Sequence, residues 1–156
     1  MPKYPLEPLA EVRRKKVDEA TAALAGAVRK REAASRALRG AEVRREAAAR
    51  AESRVRTVEL EALGRGELRA RDLARAHAWA ARAAAEGEAL AGVVRRAEAA
   101  EGAARDHERE AQGTLATRRA EALVVEGHRD RWNEHHRRGA VAREEEALSE
   151  AWRSRR

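Results

Sequence analysis

Histidine and acidic side chains cluster near the carboxyl-terminal end, so a metal site is the first chemistry to consider. His128, His135 and His136 lie there together with Asp130 and Glu134. Two metal ligands on one helix face need a spacing of three or four residues. His128 and His135 are about 10 Å apart along a helix, which is too far to share one ion. The pattern favours a solvated, slightly pH-sensitive helix face, and neither a metal nor a cofactor is expected.

Catalytic motifs are not found elsewhere in the sequence. His77 and His107 are isolated, serine is scarce, and there is no Gly-x-Ser-x-Gly motif. Gly64 and Gly66 do not follow a strand, and they are too weak a signal for a phosphate-binding loop. The chain is therefore not expected to be an enzyme.

The tryptophans are the more informative side chains, because only 3% of the residues are aromatic and phenylalanine is absent. Trp79, Trp132 and Trp152 have two interpretations. Each could fill a gap between helices lined by alanine, or each could anchor a partner, since tryptophan is enriched at interface hot spots. For Trp152 we favour a partner, because it lies beyond the reach of the first predicted helix.

The composition indicates long helices rather than a globule. Hydrophobic residues make up 43% of the 156 residues, much of this alanine, and 39% are charged. Alanine, glutamate, arginine and leucine dominate, as is typical of a long helix or coiled coil. At roughly 25 cal/mol per Å² an alanine seam contributes little burial energy. A compact core with an active-site cavity is not expected.

The stretch 63–68 divides the chain into two helices. Gly64 and Gly66 reach backbone angles that end a helix, and all three prolines lie within the first eight residues. We predict an all-α fold, a single antiparallel coiled-coil hairpin over residues 1–156. Its helices would span about 8–63 and 69–154, so the second is longer, and the turn would span about 64–68.

Apolar spacing predicts how the two helices pair. In the first helix Val17 and Leu24 are seven apart, whereas Val17 and Val28 are eleven apart, so heptad and hendecad steps appear mixed. In the second helix a heptad that starts with Leu73 gives a thin, mostly alanine seam of a and d positions. This seam continues to Trp132, after which the register is expected to slip.

Charge and cysteine content limit the class of partner. The net charge of +7 suggests nucleic acid, but the 27 acidic residues are interspersed with the 34 basic ones. Such mixing is typical of a solvated helix face; the exceptions are basic clusters at 13–16 and 153–156. Cysteine is absent, and no apolar run approaches the roughly 20 residues of a membrane span. We expect a cytoplasmic protein without membrane insertion.

Four pieces of the sequence resemble the FliJ/YscO stalk proteins of flagellar and type III secretion systems. The opening, YPLEPL at 4–9 with VRR at 12–14 and VDEA at 17–20, is similar to the family's Leu-Glu-x-Leu start. LGRG at 63–66, leading to Leu73, looks like its inter-helix turn, and Trp132 within a charged helix is a third feature. The tail at 143–152 is similar to an acidic Leu-Asp-Glu ending, with Ser149 in place of the acid.

The resemblance implies a cytoplasmic stalk at the cytoplasmic face of the secretion apparatus. Family members insert one end into the hexameric secretion ATPase, promote ring assembly and hydrolysis, and connect the ring to the export gate. Some also bind export chaperones. The implied protein is a monomer when free and binds no nucleic acid.

The resemblance also implies two sets of contact residues. The residues that would face the ATPase ring are Tyr4, Leu6, Leu9, Arg13, Arg14, Trp132, Leu148 and Trp152. The residues that would face the export gate are Leu63, Leu68, Leu73, His77 and Trp79.

Two other classes of protein fit the same composition. In a generic coiled-coil scaffold or dimeric adaptor, the helices would pair between chains, and Gly64 would mark a kink. In a basic nucleic-acid-binding protein, the logarithm of the affinity for nucleic acid would fall by roughly 0.9 for each tenfold rise in salt concentration and for each phosphate contact. Hydrodynamic size and salt dependence distinguish these alternatives from a monomeric stalk.

Overall fold

Two long helices account for nearly all of residues 3–154, the part of the chain that this computed structural model describes. Helix α1 spans Glu7–Gly64 and helix α2 spans Ala70–Arg153, with no strand between residues 3 and 154. The helices pair antiparallel, which confirms the predicted all-α hairpin. α1 extends one residue beyond its predicted bounds at each end, and α2 is one residue shorter at each end. That 1–156 forms a single domain stays a prediction.

Helix α1 begins with a proline in its first turn, where no hydrogen bond is lost. Pro8 occupies the first turn, where a helix has no use for the missing N–H. The Glu7 amide donates to the Tyr4 carbonyl at 3.2 Å, and the Ala10 amide donates to the Leu6 carbonyl at 3.0 Å. The Glu7 carboxylate also lies at the positive end of the helix dipole. The start of α1 therefore places Tyr4 just outside its first turn.

The end of α1 is a Schellman motif. Gly66 has a φ of +70°, in the left-handed region that glycine adopts without strain. The Glu67 amide donates to the Ala62 carbonyl at 3.0 Å, and the Gly66 amide donates to the Leu63 carbonyl at 2.9 Å. These two bonds satisfy carbonyls that the helix leaves unpaired. Of the two glycines in the predicted turn, Gly66 is the one that reverses the chain.

α2 begins with a side-chain cap. The Arg69 amide donates to Asp72 Oδ2 at 3.1 Å, which is the acidic half of a capping box. Asp72 also brings a negative charge to the first turn, where the helix dipole favours it. Local bonds thus define both edges of the turn.

The contact stripe of α2 follows the predicted heptad. From Ala76 to Trp132 every predicted a and d residue is buried or half-buried. Leu73, which set the register, is itself exposed, and its neighbour Asp72 is half-buried instead. After Trp132 the half-buried residues are Glu134, His136, Gly139 and Ala140, which follow no single heptad position, so the predicted slip stays a prediction. From residue 141 onward every described residue of α2 is exposed.

The contact stripe of α1 follows a heptad. Its members repeat at alternate steps of three and four: Ala10, Arg13, Val17, Ala20, Leu24, Ala27, Arg31, Ala34, Leu38 and Ala41. Val28, eleven residues after Val17, is also half-buried, so the predicted mixture with eleven-residue steps stays a prediction. Apolar spacing alone does not identify the whole stripe, because Arg13 and Arg31 occupy stripe positions and pair there with acids of α2.

Contacts divide the chain into two units. The terminal unit comprises Met1–Ala25 and Glu110–Arg156, and the turn unit comprises Gly26–Arg109. The described buried apolar residues of the terminal unit are Tyr4, Ala10, Ala20, Leu115, Ala122 and Val125. Those of the turn unit are Ala27, Ala41 and Val94. Only the terminal unit therefore buries an aromatic side chain.

Within residues 3–154, neither helix contains a stretch long and apolar enough to cross a bilayer.

Candidate partner-binding surfaces

An aromatic cluster joins the amino-terminal segment to α2 within the terminal unit. Tyr4 is only 7% exposed and packs with Ala10 and Val125. Its hydroxyl donates to the Val125 carbonyl at 3.4 Å and shares a 2.8 Å hydrogen bond with His128 Nδ1. The Tyr4 and Trp132 rings meet edge to face, with centroids 5.6 Å apart, a favourable geometry for aromatic pairs. Tyr4 thereby fixes the segment before α1 onto α2.

The histidines beside this cluster pack against aromatic rings. The His136 ring lies 3.9 Å from the Trp132 ring, centroid to centroid, and its Nδ1 is 2.9 Å from the Trp132 carbonyl. The His135 ring lies 5.8 Å from that of His136. Within residues 3–154 no three histidine or acidic side chains come together in a way that could hold a metal ion. The cluster can therefore support packing, but it offers no set of metal ligands.

Ion pairs surround the cluster and join α1 to α2. Arg13 and Arg118 both donate to the Glu121 carboxylate, with the Arg118 contact at 3.1 Å. These two arginines hold the pKa of Glu121 below its ordinary value, chiefly through the Arg118 hydrogen bond. The second group centres on the first turn of α1. There, Glu7 lies 3.3 Å from Arg14 and 3.6 Å from Arg129.

The predicted ring-facing residues fall into two groups. Tyr4 is buried, while Arg13 and Trp132 are half-buried, so these three hold the terminal unit together. The exposed members are Leu6, Leu9, Arg14, Leu148 and Trp152. Trp152 is 71% exposed and Leu148 is 68% exposed, both on the part of α2 that lies beyond its contact stripe. Of the basic cluster at 153–156, residues 155 and 156 lie outside the described residues.

Sequence reasoning missed two exposed aliphatic residues, Leu123 and Val124. They follow Ala122 directly, so the heptad already assigned them to outward positions, where a charged chain normally places polar residues. A groove of about 360 Å³ lies beside Leu123. Its lining is Arg14, Val17, Asp18, Arg119, Ala122, Leu123 and Glu126.

The predicted gate-facing residues lie around the turn. Leu63, Leu73 and His77 are exposed, whereas Leu68 and Trp79 are half-buried. Trp79 borders two clefts of the turn unit, of about 670 Å³ and 550 Å³. The larger cleft is walled by Ala48, Ala83 and Gly87, among other small residues. Small side chains leave space between the helices unfilled there, and the half-buried Trp79 lines that space.

Farther from the turn, polar residues join the two helices of the turn unit. Arg31 Nε lies 2.8 Å from Glu108, and this contact raises the pKa of the Arg31 guanidinium. Glu101 is 6% exposed, accepts from Ser35 at 3.1 Å, and pairs with Arg105 at 2.5 Å. Among the described residues, Glu101 is the one charged residue that is buried. In the turn unit the charged stripe residues Arg31, Glu101 and Glu108 therefore have hydrogen-bond partners.

Comparison with known proteins gives a likeness in fold. No protein-family model matches the chain, and no curated protein matches it. Among solved structures it is similar to a protein from Chlamydia trachomatis described as "a putative YscO homolog", with a TM-score of 0.83. The match covers 96% of this chain and 92% of the chlamydial chain, at 22% sequence identity. The predicted resemblance to FliJ/YscO proteins is thus confirmed at the level of the fold.

Proposed function

We propose that this chain is a stalk component of a bacterial type III secretion or flagellar export apparatus, working in the cytoplasm. The observation that carries the proposal is the near full-length fold match to a YscO homolog. The sequence motifs at the opening, the turn and the tail add to it independently of the structure. In this role the chain inserts into the hexameric secretion ATPase, promotes its assembly and activity, and couples it to the export gate.

The terminal unit is the end that we assign to the ATPase ring. Every described residue of α2 from 141 onward is exposed, and Leu148 and Trp152 lie in this stretch. Tryptophan supplies large contact area with few rotatable bonds, which suits a hot spot in an interface. Tyr4 and Trp132 contribute indirectly, since their packing holds the adjacent helices in a fixed arrangement. Leu6, Leu9 and Arg14 are further exposed residues of the terminal unit that we assign to this contact.

The turn is the end that we assign to the export gate, with Leu63 and Leu73 as exposed apolar contacts. Its backbone is held by the Schellman motif and the Asp72 cap, so these residues sit on defined positions. Trp79 lies farther along α2 beside an open cleft and can change its packing when a partner binds. Export chaperones are further candidate partners for this chain.

The test is ATP hydrolysis by the cognate secretion ATPase with and without this protein, together with a size measurement of the mixture. We expect stimulation and ring assembly. Leu148→Ala with Trp152→Ala removes two exposed side chains and should abolish both effects without unfolding the chain. Val43→Ala with Leu60→Ala is the matched control, because both residues are equally exposed and lie outside the predicted contact sets.

Two outcomes would give the chain a different function. No stimulation and no complex, with a stable dimer in which helices pair between chains, would identify a coiled-coil scaffold. Tight binding to nucleic acid that weakens steeply with salt would identify a nucleic-acid-binding protein. If the Leu148 and Trp152 variant stimulates normally while Leu63→Ala with Leu73→Ala abolishes stimulation, the two ends are assigned the wrong way round.

A further inference from the structure

The positive charge of the chain is concentrated in one stretch of α1. Residues 26–45, which we call the basic segment, contain seven basic and two acidic residues, a net charge of +5 out of the chain's +7. The facing part of α2 does not neutralise it, since residues 91–109 hold four basic and four acidic residues. A local excess of this size on a helix surface creates a site for an anionic partner.

Most of this charge is accessible. Arg29, Lys30, Arg36 and Arg39 are exposed, and none makes an ion pair within residues 3–154. Arg29 and Arg36 are two turns apart, and Arg39 is three residues further, so these three lie close together on the helix surface. Arginine also presents a planar fork that suits carboxylates.

An accessible acidic stretch of opposite charge lies in the same chain. Residues 141–152, which we call the acidic tail, contain four acidic residues and one basic residue, and the basic cluster 153–156 follows them directly. All of them are exposed, and Glu144, Glu145, Glu146 and Glu150 make no ion pair among the described residues. The tail is helical, so its carboxylates are held along a regular surface.

We propose that the acidic tail of one copy binds the basic segment of a second copy, giving a salt-sensitive dimer. Charge complementarity favours this occupant over the alternatives. No aromatic residue lies in the basic segment to stack on bases. Val43 is its one highly exposed aliphatic residue among those described, which is little to insert into a lipid surface. The acidic tail of each copy binds the basic segment of the other, so the dimer contains two equivalent contacts, as in an isologous dimer.

Self-association of this kind differs from the monomer that the hairpin pattern predicts. Exposed ion pairs are individually weak, so the dimer dissociates readily. It would cover Leu148 and Trp152, which lie in the acidic tail, and thereby compete with the contact proposed for the ATPase. The inference itself rests on charge and exposure, and its test needs no ATPase.

The test is sedimentation of the full chain over a wide concentration series at about 10 mM and about 1 M salt, where the Debye length is roughly 30 Å and 3 Å. We expect the mass to rise from 17.3 kDa towards twice that value at low salt only. Arg29→Glu with Arg36→Glu and Arg39→Glu should keep the chain monomeric. So should Glu144→Arg with Glu145→Arg and Glu146→Arg.

Mixing these two triple variants restores both contacts, one with its natural charges and the other with its charges exchanged, so dimers should form again. Arg54→Glu with Arg75→Glu and Arg131→Glu is the matched control, with the same net charge as the first variant, and it should associate like the natural chain. A monomer at every salt concentration would overturn the proposal, as would failure of the mixture to associate. If the natural chain is monomeric and binds duplex DNA, and the Arg29, Arg36 and Arg39 variant no longer binds it, nucleic acid is the partner of the basic segment instead.

Discussion

The terminal unit and the turn unit use different side chains to hold the same two helices. In the terminal unit Tyr4 and Trp132 fill the space between α1 and α2, and Arg13 bridges the helices through Glu121. In the turn unit no residue between 42 and 93 is buried, and a cleft of about 670 Å³ remains open.

The contrast shows that the aromatic side chains which fill the space between the helices lie in the terminal unit. Alanine permits close approach of two helices but removes little surface from water, so an alanine seam specifies pairing only weakly. Aromatic residues at one end supply the burial that the seam lacks. We therefore expect the terminal unit to be the more resistant to opening, and the cleft region of the turn unit to adapt to a partner.

The largest effect should come from removing the aromatic anchor. Tyr4→Ala leaves a cavity beside Ala10 and Val125 and should lower the free energy of unfolding by about 2–3 kcal/mol. Trp79→Ala should cost about 1 kcal/mol, because that ring borders an open cleft. Thermal unfolding with amide hydrogen exchange resolved by segment measures both.

The control for this comparison is Tyr4→Phe, which keeps the ring but loses the bonds to Val125 and His128. It should cost about 1 kcal/mol. Equal destabilisation by Tyr4→Ala and Trp79→Ala would contradict the proposed difference between the two units.

Enlarging a seam alanine should have opposite signs in the two units. Ala10→Leu forces a larger side chain into a site that is buried against Tyr4 and should destabilise by about 1–3 kcal/mol. Ala48→Leu places the same atoms beside the open cleft and should stabilise by about 1 kcal/mol. Chemical denaturation of each variant gives the sign of the change in the free energy of unfolding. If both substitutions destabilise the protein, the cleft beside Ala48 is closed in solution.

The buried acid of the turn unit should be dispensable for stability. Glu101→Leu removes a desolvated carboxylate from the seam and should raise the free energy of unfolding by about 1 kcal/mol. Its partner Arg105 is largely exposed and can be hydrated instead. Glu101→Lys is the control and should destabilise, since it places an unpaired cation near Arg31. A Glu101→Leu protein less stable than the natural chain would show that the Ser35 and Arg105 contacts outweigh the desolvation.

The smallest effect concerns acid pH. The pKa of Glu121 is lowered, chiefly by the Arg118 hydrogen bond, so the folded pKa lies below the unfolded value of about 4.3. The stabilisation is present above the unfolded pKa and is lost as the pH falls through the folded pKa. Arg118→Gln should raise the pKa of Glu121 and move acid unfolding of the terminal unit to slightly higher pH.

Carboxyl NMR titration with circular dichroism measures that shift. Arg95→Gln in the turn unit is the matched control. It should raise the pKa of Glu88, which Arg95 lowers, yet leave helix pairing unchanged. Among the described residues Glu88 pairs only with Arg95 of its own helix, whereas Glu121 also pairs with Arg13 of α1. An equal change in acid unfolding from both variants would contradict the role of Glu121 between the helices.

Local sequence patterns encode the helices, the turn and the register of α2. Helix-forming residues without proline after position 8 specify two long helices, and Gly66 supplies the one left-handed residue of the turn. The heptad of α2 could be read because its alanine, valine and leucine residues recur at fixed steps. These are local properties, and neighbouring residues suffice to encode them.

Tertiary structure alone decided which residues meet across the hairpin. Arg13 and Arg31 occupy stripe positions that apolar spacing does not mark, and Tyr4 finds its partners more than a hundred residues away. It also decided that Tyr4 and Trp132 face each other, whereas the exposure of Trp152 already followed from the unequal lengths of the two predicted helices. An alanine seam is nearly the same at every register, so a few specific long-range contacts select one alignment. Such contacts depend on both helices at once, which is why neither helix sequence reveals them.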